Sequence, residues 1–202
     1  MKAWIAALAM TVASLACAGP GDGDLVSLLK GTETRQQLSI SQDILSKIDE
    51  VLATMEKKID EAVNKARPSI KVGGFNVGKA PDPFNVSEKL RSEFRVQIAK
   101  MLNPDQLQQA LKLGIKAEGN FAFLMPDVAK EIKLDKGIKG SIEKFRNEYF
   151  DLRKDLDGKV KKGDLTAVER AAQLAARDTE LQEKIAKLVP AELIDKLKSL
   201  SN

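Results

Sequence analysis

Gly73-Gly-Phe-Asn-Val-Gly78-Lys79-Ala80 comes within one residue of a phosphate-binding loop. Such a loop needs glycines that let backbone amides close on phosphate and a lysine that reaches the outer phosphates. It also needs a Ser or Thr hydroxyl on magnesium where a helix begins. Ala80 stands in the hydroxyl position, and Pro81 and Pro83 follow where the helix should run. The stretch is therefore expected to be a connector, with residues 69–77 able to form a small β-hairpin around Gly73-Gly74.

Asp155-Leu-Asp157-Gly158-Lys-Val160 has the spacing of the middle of a calcium loop, with Asp164 in the last ligand position. Arg153 occupies the first position, where a carboxylate is needed, and Asp164 is too short to copy the usual bidentate Glu. Lys159, Lys161 and Lys162 add repulsion, so a plain interhelical turn at Asp157-Gly158 is expected. The paired carboxylates Asp49/Glu50, Asp60/Glu61 and Asp178/Glu180 sit among lysines. They lack the unequal, enclosed environments that acid–base catalysis requires. No catalytic, cofactor-binding or metal-ligating residue is singled out.

Composition narrows the chemistry further. The 202 residues include no histidine, and Cys17 is the single cysteine. Most nucleophilic triads, His or Cys metal sites and an internal disulfide are thereby excluded. Aromatics make up 4% and charged residues 31%, a balance suited to long solvated helices. The net charge of +4 comes from 33 basic and 29 acidic residues that are interspersed, which argues against a nucleic-acid partner. An enzyme is not expected.

The amino terminus carries an address. Lys2 precedes an apolar run over residues 3–16 that is short for a membrane span. Ala16-Cys17-Ala18 fits signal-peptide cleavage, which would remove residues 1–18, the only tryptophan (Trp4) among them. Ser14-Leu15-Ala16-Cys17 offers the alternative of a lipobox, with Cys17 acylated and the Gly/Asp run of 19–24 as a tether; Ser14 stands where Leu is usual. Export to the periplasm or cell envelope follows from either.

The elements that position these residues recur. Ser41 is expected to cap a helix whose face is Ile44, Ile48, Val51, Met55, Ile59 and Val63, ended by Pro68. Asn85 with Glu88 caps another, facing inward through Leu90, Phe94, Ile98 and Met101. Leu102-Asn103-Pro104-Asp105-Gln106 then starts a short helix, with Asn103 and Gln106 as a capping box. In the second half, Ile132-Lys133-Leu134-Asp135 repeats Leu38-Ser39-Ile40-Ser41. Ile138, Ile142, Phe145, Tyr149, Leu152 and Leu156 follow on one face. Thr166 and Glu169 box a helix bearing Leu174, Leu181, Ile185 and Leu188, and Leu188-Val189-Pro190-Ala191-Glu192-Leu193 echoes the Pro-led start. The fold class is all-α: long amphipathic helices in two similar hairpin-like halves, residues 19–118 and 119–202. Because Val189 matches Asn103, replacing Val189 with Asn is expected to supply a missing cap, provided Val189 is exposed.

The Leu-Asn-Pro-x-Gln start at 102–106, the Leu-x-Ile-Ser cap at 38–41 and the segment Leu124-Met-Pro-Asp-Val-Ala-Lys-Glu-Ile-Lys-Leu134 resemble the LTxxQ-type helical proteins of bacterial envelopes. Two groups of that type are similar: exported bacterial helical repeat proteins, which have a segment like 124–134, and the Spy/CpxP periplasmic stress proteins, which are similar in the helix-start motif alone. Ile44, Ile138 and Glu192 stand where the type has glutamine. The resemblance implies a non-enzymatic protein presenting helical surface to protein partners or unfolded clients, as a chaperone-like module that can pair as a homodimer. The alternative is a structural component of the envelope, lipid-anchored through Cys17.

Overall fold

Ser39 (φ 48°) and Lys133 (φ 57°) are the two non-glycine residues with left-handed backbone among the described residues, and they occupy the same place in the two sequence copies. A β-carbon makes this conformation costly, so its appearance twice marks a required turn. The computed structural model describes residue 21, residues 23–66 and residues 83–202. The expected signal peptide, the 69–77 hairpin and the phosphate-loop near-match lie outside them. The described residues are all-α, with no strand, and no described helix is long and apolar enough to cross a membrane.

The same series of elements runs through the chain twice. A short turn of helix, α1 (Leu25–Leu28), has as its counterpart the 3-10 turn Gly119–Leu124. A short helix follows, α2 (Thr32–Gln37) or α6 (Pro126–Ile132), then the left-handed residue. Next come a long helix, α3 (Gln42–Ala66) or α7 (Lys136–Lys162), and its partner, α4 (Pro83–Ala99) or α8 (Ala167–Leu188). Each series ends on a short helix, α5 (Pro104–Glu118) or α9 (Ala191–Ser201). Buried positions correspond as well: Leu38 with Ile132, Ile48 with Ile142, Met55 with Tyr149.

Contacts divide the chain into two compact units, Leu29–Gln109 on one side and the chain up to Leu28 with Ala110–Asn202 on the other. The sequence halves were divided at Glu118/Gly119; one division follows packing, the other recurrence of pattern.

In the Leu29–Gln109 unit, α3 packs on α4 through Ile48, Leu52, Met55, Phe94 and Ile98. Lys58 lies over the Phe94 ring, 5.4 Å from its centroid, and Arg35 ties α2 to Asp49 of α3. The Ser41 carbonyl accepts the first helical bond of α3 from Leu45, as expected of a cap position. Helix α4 starts at Pro83 instead of after Asn85: proline suits a first turn, where its missing N–H would have no partner in any case.

The start of α5 is the capping box that the sequence implies. The Gln106 amide donates to Asn103 Oδ1 (2.8 Å), and the Asn103 amide donates to Gln106 Oε1 (3.0 Å). Gln106 also donates through Nε2 to the Leu38 carbonyl (3.2 Å), and Gln109 donates to the Gln37 carbonyl (2.9 Å). The two side chains satisfy carbonyls that the end of α2 leaves without helical partners. Asn103→Ala should therefore cost about 1 kcal/mol in a denaturant melt. A melt unchanged by the substitution would show that the box contributes nothing.

In the other unit, Phe121, Phe123, Ile142, Tyr149, Leu156, Leu181 and Ile185 form a closed core between α7, α8 and the 3-10 turn. Asp135 caps α7 by accepting from Gly137 and Ile138 (2.7 and 3.2 Å), and Thr166/Glu169 form the expected capping box. The turn expected at Asp157-Gly158 is absent: α7 runs on to Lys162 and stops at Gly163, whose φ of 81° suits glycine. Gly158 costs about 1 kcal/mol inside a helix, which burial of Leu156 and the Asp155–Lys159 pair (2.7 Å) offset.

The second Pro-led start is shifted by one residue from its sequence match. Pro190, not Val189, is the residue before the first helical one, and Val189 is 4% exposed while Leu188 is 38% exposed. Leu102, also buried, thus corresponds to Val189 and Asn103 to Pro190. In that register burial agrees residue by residue from Leu102 to Ala110 and from Val189 to Leu197. The Ile98/Ile185 pair shares the same register.

Candidate functional site

The calcium-loop near-match has no loop. Asp155 and Asp157 are two residues apart on the continuous α7, so their side chains leave the axis about 200° apart and cannot share an ion. Asp155 pairs with Lys159 and Asp157 with Arg170 (2.5 Å). Among the described residues, no three carboxylate or thiol groups converge as a metal site would require. Asp60 and Glu61 are exposed, and Asp49 is engaged by Arg35. The Lys184 and Arg177 contacts hold the Glu180 carboxyl below its ordinary range.

The polar group that the structure does bring together was not legible as a site. Glu118, at the end of α5, is 5% exposed. Its carboxylate accepts from the Gly21 amide (2.8 and 3.0 Å) and from the Gly23 amide (2.6 Å). A carboxylate is disfavoured at a helix carboxyl terminus, and charge-assisted bonds from two backbone amides offset this. Gly114, one turn earlier on α5, gives the segment room. A β-carbon on Gly23 would lie 2.4 Å from Glu118 Cγ and 2.5 Å from the Gly114 carbonyl oxygen. Asp24 then caps α1, accepting from Val26 (2.8 Å), and Leu25, Val26 and Leu28 are buried.

Gln182 of α8 closes the other side of the cluster. It donates through Nε2 to the Glu118 carbonyl (3.0 Å) and accepts from the Asn120 amide (2.6 Å), while Asn120 Nδ2 donates to the Gln182 carbonyl (2.9 Å). Gly119 turns the chain here at φ +56°, and a β-carbon on it would meet Gln182 Oε1 at 2.8 Å. The cluster fastens Gly21–Leu28 to α5 and α5 to α8. It is a clasp: two backbone amides occupy the buried carboxylate.

Of the run 19–24 that would suit a tether, Gly21, Gly23 and Asp24 take part in these bonds.

Half-buried Asp178, one turn before Gln182, is raised above the ordinary carboxylate range by burial, with the Gln182 hydrogen bond opposing. An acid raised in the folded state weakens folding where it is ionised. That penalty is full above the folded value and disappears once pH falls below the ordinary value of about 4. Asp178→Asn keeps an acceptor for Gln182 and should raise the melting temperature at neutral pH, with the gain fading toward pH 4. A gain independent of pH would refute the electrostatic cause.

Comparison of the chain with protein-family models, with characterised proteins and with solved structures finds no match. The class is therefore defined by the fold alone: an all-α protein of two similar helix hairpins, one of them closed by a buried carboxylate clasp.

Proposed function

We propose that the protein is a non-enzymatic, exported envelope protein that binds other proteins through helix surface, in the manner of a chaperone-like module. The leader pattern of residues 1–18 and the envelope-type helix starts support the export and class of this reading. The observation that carries the binding role is the α7–α8 hairpin. Its long helix has 27 residues, about 40 Å at 1.5 Å per residue. Phe145, Phe150 and Leu152 are partly buried against the core along it, whereas Val168 and Leu188 lie exposed at the two ends of α8. Apolar side chains thus reach the surface at both ends of α8, on a hairpin whose two helices are also tied by the Arg177–Glu148 ion pair (2.6 Å).

The test is suppression of aggregation. Light scattering from reduced insulin should fall in proportion to added full-length protein, and the helical signal of the protein should remain unchanged. Undiminished scattering with the protein in excess overturns the reading.

A further inference from the structure

Helix α1 and its counterpart, the 3-10 turn Gly119–Leu124, are placed differently. The 3-10 turn packs on α7 and α8, the hairpin that follows it in its own copy. Segment Gly21–Leu28 instead belongs with Ala110–Asn202, although the hairpin that follows it, α3–α4, is part of the Leu29–Gln109 unit. The join is short. Leu28 closes α1, and the Leu29 carbonyl already accepts from Arg35 Nε of α2 (2.5 Å), so the chain changes unit across a single peptide bond.

The segment is organised by itself. Asp24 accepts from the Val26 amide and from Ser27 Oγ (2.8 and 2.7 Å), and the Leu28 amide donates to the Asp24 carbonyl (2.9 Å). Its seat reads main chain: Glu118 takes the Gly21 and Gly23 amides, and Leu25, Val26 and Leu28 are buried. None of these bonds depends on which copy of the chain supplies the segment. Exchange of an identical element between copies remakes every contact that it breaks, and a short hinge invites it. The seat also restricts its occupant. Gly21 has φ +98°, where a β-carbon would meet Phe150 Cζ at 3.2 Å, and position 23 has no room for one. A second copy of this chain meets those demands in full.

We infer that Gly21–Leu28 of one copy docks on the Gly114–Glu118 seat of a second copy, and the reverse, giving a dimer in which each clasp is completed by the other chain.

Unlabelled and heavy-isotope-labelled full chains are unfolded together, refolded at a series of protein concentrations and weighed by native mass spectrometry. Mixed-isotope dimers should form in statistical proportion, and the dimer fraction should rise with concentration during refolding. A second mixture separates exchange from pairing through another surface. Glu118→Ala keeps the segment and loses the acceptor; Gly23→Ala keeps the acceptor and loses the fit. Neither variant alone completes a clasp. Together they complete one, with the segment of the Glu118→Ala chain on the seat of the Gly23→Ala chain. The mixture should therefore give a mixed dimer that melts above either variant alone; where a variant alone does not fold, helical signal should return only in the mixture. A parent that stays monomeric at every refolding concentration overturns the proposal. So do dimers of either variant alone as abundant as those of the parent, or a mixture no more stable than its components.

Discussion

Gly23→Ala should destabilise the unit containing Ala110–Asn202 by about 3 kcal/mol or more. The new β-carbon would meet Glu118 Cγ at 2.4 Å and the Gly114 carbonyl oxygen at 2.5 Å, and one of those neighbours is backbone. Overpacking of this kind costs about 1–3 kcal/mol by itself. Moving the segment to relieve it would also break the Gly21 and Gly23 bonds to Glu118 and uncover Leu25, Val26 and Leu28. Glu118→Ala attacks the clasp from the other side, leaving two amides without their acceptor, and should cost a similar amount. The two losses should not add, since each releases the same segment. Denaturant melts of the single and double variants measure this. A loss below about 0.5 kcal/mol for Gly23→Ala, the range of ordinary surface substitutions, would mean the segment is not clasped.

The starts of α5, α7 and α8 were legible because a cap is a local device: Asn103/Gln106, Asp135 and Thr166/Glu169 each satisfy amides within three residues. The buried face of α7 was legible for the same reason, since Ile142, Tyr149 and Leu156 keep one helical spacing. The clasp was not. Gly23 and Glu118 are 95 residues apart along the chain, and glycine two residues from glycine after a leader has the composition of a spacer. The spacing of Gly114 four residues before Glu118, with Gly119 after it, was the available signal: small residues on one helical face admit another backbone. Gly158 misled in the opposite direction, because one glycine inside an otherwise sound helix costs less than the burial on either side returns. The left-handed turns at Ser39 and Lys133 carried no glycine or asparagine to announce them, and only the repetition of the surrounding segment pointed there.

Val189→Asn should destabilise by about 3 kcal/mol, the reverse of what the sequence echo implies. The echo places Val189 opposite Asn103 and makes asparagine the missing cap. In the structure Val189 is 4% exposed in the core with Ile185 and Leu197, one residue before the true cap position. An amide there loses the packing of the valine methyls and is buried away from water, each costing of the order of 1–2 kcal/mol. Pro190 holds the cap position without any side-chain bond to the helix amides, and it is exposed. Pro190→Asn should therefore stabilise, by up to about 1 kcal/mol, because it supplies the acceptor that Asn103 supplies in the first copy. The opposite signs of the two variants test the register itself. The Ile194 amide bonds to the Pro190 carbonyl (3.2 Å) just as the Leu107 amide bonds to that of Asn103 (3.0 Å). Stabilisation by Val189→Asn with none from Pro190→Asn would place the helix start one residue earlier and restore the alignment of the echo. Losses from both would show that the last helix is fixed by packing of Val189 and Leu197 alone, with its cap irrelevant.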